Sequence, residues 1–426
     1  MKKITEHKRP QRAVRVAQFG GGVFLRGFFD WMLQKANDAR IYDGNAVIIR
    51  AKTRGVDPLS LQDYLYTHVA RDGENSDITL IDSIAGSINP SEDAEGFYRL
   101  AVSPELETVV SNTTEAGIVY QRCEYSEKAV PESFPARLTV LLYYRYMAGL
   151  GGILVVPCEL IENNGSTLFG IVKRHAEDWS LGEGFIKWLD SACSFRNTLV
   201  DRIVSGNTDE DLGLAYTDNS VNTSEFFHLW VIDGEEDSRL PFSKLGMNIK
   251  WVKDINEYRT LKVRILNGAH TSMIPYALTC GVQTVGECMK DVRTREHLSA
   301  CLDEIIASLG EEKRAEAEEY AASVIKRFEN PYICHRCEAI SLNSVSKFSV
   351  RVLPSILEYR QRFGELPRAL MFSFSALINF YKNGSPRDAE EVIAKLQNGT
   401  VEEILSDAEL WGEDLSALVC AVEKNL

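Results

Sequence analysis

No apolar stretch in this chain is long enough to cross a membrane: the most apolar region, Leu138–Cys158, is broken by Arg145 and by Gly149, Gly151 and Gly152. The basic opening MKKITEHKRPQRAVRV has no apolar segment behind it, so it does not read as a secretory signal. A disulfide framework is missing as well. The nine cysteines, an odd number, are scattered from Cys123 to Cys420, which fits a reducing compartment. Nor is there an excess of positive charge. The net charge of −14 counts against nucleic acid as the main partner, because phosphate binding draws on a basic surface. A local basic pocket for a small anion remains compatible with it. Cys334-His335-Arg336-Cys337 is half of a zinc or redox motif, but no second CxxC exists, so no metal is expected. His68, His175, His228 and His297 have no partner pattern. These absences leave a cytoplasmic globular protein with neither membrane nor nucleic acid as partner. They do not fix its oligomeric state.

What is present is enough chain, 426 residues, for about two domains. Short β-type runs, Val14–Phe19, Ala46–Arg50, Glu107–Asn112 and Ile153–Pro157, alternate with helical stretches such as Phe24–Ala36 and LTVLLYYRYM. Buried strands separated by helices predict a doubly wound α/β sheet. Phe226–Asp233 and Met247–Val252 read as later strands. From about Asn256 helices dominate: Tyr258–Leu278, Arg295–Leu309, Glu311–Phe328, Leu366–Tyr381 and Ala389–Gln397. The expected organisation is an α/β domain over residues 1–240 and a mainly α-helical domain over 241–426, with little chain after the last helix.

The first strand runs into Gly20, Gly21 and Gly22, followed by Val23, Phe24 and Leu25 at the start of a helix. Gly20 would permit the tight turn, and Gly22 would let a pyrophosphate approach the backbone at a helix N-terminus. The spacing departs from GxGxxG because Gly27 comes too late, so a purely structural strand–turn–helix is the competing reading. After the second strand come Arg50, Lys52 and Arg54, and Asp57 is the first acid. That leaves NAD and NADP both open, since an acid at this place would favour NAD.

Residues 257–271 read EYRTLKVRILNGAHT. On an α-helical wheel Lys262, Arg259, His270 and Asn267 fall at about 0°, 60°, 80° and 140°, one broad polar side. Hydride addition to a ketone builds negative charge on oxygen. A lysine ammonium can supply the proton, and an asparagine amide can stabilise the alkoxide. The competing reading is a solvated Lys262 and Arg259 with Asn267 as a cap. Gly268 inside the helix costs roughly 1 kcal/mol against alanine, which suggests that something passes close to its backbone. Lys347 and Arg351, four apart, share a helix face and could hold a carboxylate or face solvent.

Lys262, Asn267 and His270 form a K-x4-N-x2-H pattern, and GGGVFLRGF follows a GxGxFxR turn. Together with SNTTEAGI, VPCELIENNG, TLVDRIVSG, NPYICH and KFSVRVLP, these segments span the chain from about residue 14 to 381. The set resembles the polyol-specific long-chain dehydrogenases, the mannitol dehydrogenase family. The resemblance implies a Rossmann-like N-terminal domain and a helical C-terminal domain, NAD as cofactor and no metal. It implies Lys262 as acid/base, Asn267 and Asn164 holding the reacting oxygen, His270 orienting the substrate, and Asn112 and Thr113 beside the nicotinamide. His335, in NPYICH, belongs to a shared segment, which implies a structural role or a place at the substrate rim rather than a metal ligand. Within the family the segments are most similar to the sugar-acid branch, which implies reduction of D-tagaturonate to D-altronate. Reduction of fructuronate, a mannitol-type polyol reaction, or a non-catalytic dinucleotide-binding sensor are the alternatives. One departure bears on substrate: Arg259 stands where mannitol dehydrogenases carry glutamate, and an arginine could pair with a substrate carboxylate.

Overall fold

The computed structural model of the chain describes residues 2–51, 57–127, 129–208 and 210–426. Lys52 and Arg54, read above in connection with NADP, lie outside the described residues. The chain forms two compact units, Met1–Ile255 and Asn256–Leu426.

The first unit is built on six parallel strands: β1 (Val14–Phe19), β2 (Asn45–Ile49), β3 (Ile84–Ile88), β4 (Thr108–Ser111), β5 (Leu154–Pro157) and β6 (Ser194–Phe195). Their order across the sheet is β3-β2-β1-β4-β5-β6, the arrangement of a Rossmann fold, in which the order reverses between β1 and β4. The central strands read as nearly continuous Val/Ile runs because both faces are covered. Successive residues feed opposite cores: Val16, Ile48, Val110 and Val156 pack on one side, and Ala17, Val47, Val109 and Val155 on the other. The second side is closed by helices at Ala94–Ala101, Phe134–Met147, Asn164–Asp178 and Glu183–Ala192.

The expected helix from Phe24 to Ala36 is two helices, Val23–Gly27 and Phe29–Asp38, broken at Phe28. The break has a local cause. The Gly27 carbonyl accepts from Arg202 Nη1 at 2.7 Å, and a Cβ on Gly27 would stand 2.8 Å from Val204 Cγ1. Outside the expectation are a four-stranded sheet containing Tyr66–Arg71 and Ser76–Ile81 and the strand Thr198–Asp201, which joins the two expected later strands in a three-stranded sheet. Those two are Leu229–Asp233 and, in parallel with it, Ile249–Val252, so the first unit ends later than residue 240.

The second unit is helical and has its own core, from Leu261 to Val422. Short helices at Val401–Ser406, Ala408–Trp411 and Val419–Glu423 follow Glu390–Asn398, and Trp411 and Val422 are buried in that core. Cys337 lies 3.8 Å, sulfur to sulfur, from Cys288 and not beside the exposed Cys334, so the CxxC spacing has no structural counterpart. Among the described residues no group of His, Cys, Asp or Glu could hold a metal ion, and no helix is long and apolar enough to cross a membrane.

Candidate functional site

The turn after β1 is glycine for two separate reasons at its first position. Gly20 has φ of +113°, and a Cβ there would stand 2.9 Å from the Asn112 carbonyl oxygen. At Gly21 a Cβ would lie 3.2 Å from Ile48 Cγ2, whereas at Gly22 nothing lies within 4 Å. The backbone is therefore bare at Gly22, where a helix begins. Val23 is exposed and Phe24 half-buried, while Leu25 is a core residue that anchors the helix. The turn is braced from below by the buried Gln18, whose Nε2 donates to the Gly20 carbonyl at 3.1 Å.

Asn112 and Thr113 follow β4, on the other side of the point where the strand order reverses. Open α/β sheets bind ligands at this place, beyond the carboxyl ends of the strands. The Asn112 amide nitrogen donates to the Cys158 carbonyl at 2.8 Å. Both the backbone N–H and the hydroxyl of Thr113 donate to Glu159 Oε1 at 2.8 Å, and the Ser111 hydroxyl donates to Glu159 Oε2 at 2.9 Å. Glu159 is buried. Burial pushes its carboxyl up, and the hydrogen bonds from Thr113 and Ser111 oppose that. Sequence reading passed over Glu159; its signal is an acid standing two residues past the end of a buried strand.

Asn164 needs correction. Its Nδ2 donates to the carbonyls of Pro157 at 3.0 Å, Glu159 at 3.0 Å and Thr198 at 3.2 Å. Its Oδ1 accepts from the backbone N–H of Gly165 at 2.9 Å and Thr198 at 2.8 Å. A buried amide so engaged has no capacity left for a substrate oxygen. Asn164 ties the end of β5 to Thr198 and starts the helix Asn164–Asp178. Asp57 is also engaged locally: it accepts from Leu59 N at 3.1 Å and lies 3.9 Å from Arg50 Nε.

In the second unit the helix carrying the lysine is not an α-helix throughout. Asn256–Leu261 is α-helical, Lys262–Asn267 is π-helical, and Gly268–Thr279 returns to α. This changes the wheel. In α geometry residues five apart diverge by about 140°. A π turn bonds i to i+5 and so brings Asn267 back nearly over Lys262. The polar pair is thus in register because of the irregularity. Gly268 is close to another backbone, as its cost suggested: a Cβ there would lie 3.3 Å from the Arg351 carbonyl oxygen.

His270 is buried, its ring 4.3 Å from that of Phe328 and 5.1 Å from that of His335. His335 is half-buried, and burial followed by the charge of Arg327 lowers its pKa. Arg351 Nη1 donates to Thr271 Oγ1 at 3.4 Å, next to His270. Lys347 Nζ donates to the Ile340 carbonyl at 2.9 Å. Burial and then the neighbouring Arg351 lower the Lys347 pKa, and the charge of Asp388 opposes them. Arg259 is half-buried and donates to Asn256 Oδ1 at 3.2 Å, within its own helix.

The arrangement has relatives. Residues 14–244 match the mannitol dehydrogenase Rossmann domain and residues 254–426 the mannitol dehydrogenase C-terminal domain. The chain is 39% identical to the altronate oxidoreductase of Bacillus subtilis (strain 168), over 95% of this chain and 89% of that protein. A D-sorbitol dehydrogenase in substrate-free form superposes with a TM-score of 0.80 at 18% identity, covering 100% of this chain and 99% of the other. The Pseudomonas fluorescens mannitol 2-dehydrogenase, in a ternary complex with NAD and D-mannitol, gives 0.72 at 21% identity, covering 97% and 91%. At that identity the two structures speak for the fold. The domain matches and the sequence relative carry the conclusion that this chain belongs to the mannitol dehydrogenase family and is an oxidoreductase acting on CH–OH groups.

Proposed function

We propose that the protein reduces the keto sugar acid D-tagaturonate to D-altronate, and runs the reverse oxidation, with NAD(H) and a lysine acid/base and without a metal. The observation that carries the mechanism is the π turn that sets Lys262 and Asn267 on one side of their helix. The substrate rests on the likeness to an altronate oxidoreductase over nearly the whole chain.

A nicotinamide dinucleotide fits the first unit: the backbone is bare at Gly22, the turn at Gly20 admits no side chain, and both stand at the reversal of strand order. Gly20, Gly21, Gly22, Val23 and Phe24 would hold its pyrophosphate, with Asn112 and Thr113 toward the nicotinamide. When bound, it supplies the hydride for reduction. Lys262 donates its proton to the oxygen of the keto group as negative charge grows there, and takes it back in the oxidation. Asn267 donates an amide hydrogen to the same oxygen. His270, its ring tilted against Phe328 and edge-on to His335, orients the sugar. Arg351, Lys347, His335 and Arg259 supply the positive charge and donors that a sugar carboxylate calls for. Because a proton neutralises the alkoxide, no Lewis acid enters the proposal.

The test is oxidation of NADH and of NADPH followed spectrophotometrically with tagaturonate, fructuronate and fructose, before and after dialysis against a chelator. NADH with tagaturonate is expected to be fastest, and dialysis to leave it unchanged. Lys262→Ala is expected to lose turnover and to retain NADH binding. Full turnover in that variant removes the lysine from the mechanism, and a faster rate with fructose replaces the sugar acid by a polyol.

A further inference from the structure

Arg264 stands in the middle of the π segment, two residues after Lys262 and three before Asn267, and it is buried. Its guanidinium makes four hydrogen bonds to two other helices. Nε donates to Ser355 Oγ at 2.7 Å, and Nη1 and Nη2 donate to the two oxygens of Glu358 at 3.0 and 2.9 Å. Nη2 also reaches Ser308 Oγ at 3.3 Å. Ser355 and Glu358 lie on Leu353–Phe363, and Ser308 lies on Val292–Leu309.

A π turn carries one residue more than an α turn and is rarely stable on its own. If it relaxed to α, Asn267 would stand about 140° around the helix from Lys262. A planar fork fixed at both ends resists that rotation, since the guanidinium cannot turn without breaking the two parallel bonds to Glu358. The neighbouring Ile265 is fully buried and Leu266 nearly so, which adds packing but no directional hold.

We propose that Arg264, clamped by Glu358, Ser355 and Ser308, is a positioning residue that holds the π register and thereby keeps Lys262 and Asn267 aimed at one oxygen. The proposal rests on the acid/base reading of Lys262. The clamp differs from an ordinary structural ion pair in what its loss does. A brace that only stabilises lowers the melting temperature and leaves the folded enzyme's rate and pH profile alone. A clamp on the register changes both.

The variants are Arg264→Lys, Glu358→Ala and Glu358→Gln, each compared with Lys262→Ala. The Glu358 side chain is 43% exposed, so it can be removed without opening the core, and it carries the test should Arg264→Lys not fold. Turnover number, its pH midpoint, NADH affinity and melting temperature are measured on the folded protein. Expected are a turnover number about tenfold lower in Glu358→Ala and a displaced pH midpoint, with NADH affinity unchanged. Glu358→Gln, which keeps an acceptor for the guanidinium, is expected to fall between Glu358→Ala and the parent. Lowered melting temperature with parental turnover and pH midpoint, alongside an inactive Lys262→Ala, overturns the clamp and leaves the lysine mechanism standing. An active Lys262→Ala overturns the mechanism on which the clamp depends.

Discussion

Asp30 offers a sharp test of the electrostatics beneath the glycine turn. It lies in the first turn of Phe29–Asp38 and is completely buried. Burial raises its pKa to about 7, against the opposing effects of a hydrogen bond from Tyr66, the charge of Arg26 and a hydrogen bond with Gln18. The Tyr66 hydroxyl donates to Asp30 Oδ2 at 2.9 Å. Gln18 Oε1 is buried without a hydrogen-bond partner in the structure. The folded pKa is above the unfolded one, so the folded protein holds a proton that the unfolded chain has released. Stability from this group is therefore full below pH ~4 and is lost as pH rises through about 7. A shift of about three units corresponds to ~4 kcal/mol as a ceiling. Asp30→Asn keeps an acceptor for Tyr66 and is neutral at every pH. It is expected to melt close to the parent at pH 4 and well above it at pH 8.5, by up to roughly 8–16 °C for a unit of this size. Calorimetric melting of both proteins across that range reads the difference directly. Parallel curves, with a constant offset from pH 4 to 8.5, would show that Asp30 stays ionised in the fold and would refute the reasoning.

The parallel sheet was legible because its strands announce themselves: AVIIR and ILVVP are short, β-branched and bounded by turns, and both are buried on two faces. The family resemblance carried the order of domains. What pattern could not reveal was the second layer of strands. Tyr66–Arg71 and Asn222–Ser224 are polar or mixed in sequence, and they lie in parallel although more than a hundred residues separate them. Thr67, His68 and Asn222 are nevertheless buried, made tolerable by partners that only the tertiary structure supplies, such as the bond between His68 Nε2 and Ser224 Oγ at 3.0 Å.

The same limit governs the site. The glycine turn follows from local backbone needs, and Gly20 is read correctly from its neighbours alone. Lys262, Asn267 and His270 were recognised as a set, yet the α-helical wheel spread them over about 140°. A π turn is fixed by what holds it, here Arg264 reaching Glu358, Ser355 and Ser308, residues 44 to 94 positions away in sequence. Asn164 shows the converse. A motif asparagine looks alike in sequence whether it faces a ligand or the chain, and its five backbone partners decide the matter.

Three further substitutions probe separate parts of the site. Gly20→Ala meets both a left-handed backbone and the Asn112 carbonyl; a loss of ~1–3 kcal/mol and weakened NADH binding are expected, read by melting and by fluorescence titration. Glu159→Ala strips the acceptor from Thr113 N, Thr113 Oγ1 and Ser111 Oγ; at about 1 kcal/mol for each unsatisfied donor, a loss of ~3 kcal/mol is expected in denaturant unfolding. Arg259→Glu bears on substrate choice. Arg259 precedes Lys262 by three residues, so its charge sits within a helical turn of the proposed proton donor. If it pairs with the sugar carboxylate, replacing it removes a charge-assisted bond worth ~1.5–3 kcal/mol and adds a repulsion. The specificity constant for altronate should then fall by about 10- to 100-fold, while that for mannitol, which has no carboxylate, stays where it was. The ratio of the two constants is the measurement, because a general disturbance of the helix would lower both together. An unchanged altronate-to-mannitol ratio would leave Lys347, Arg351 and His335 as the residues that read the acid, with Arg259 engaged within its own helix, where it donates to Asn256.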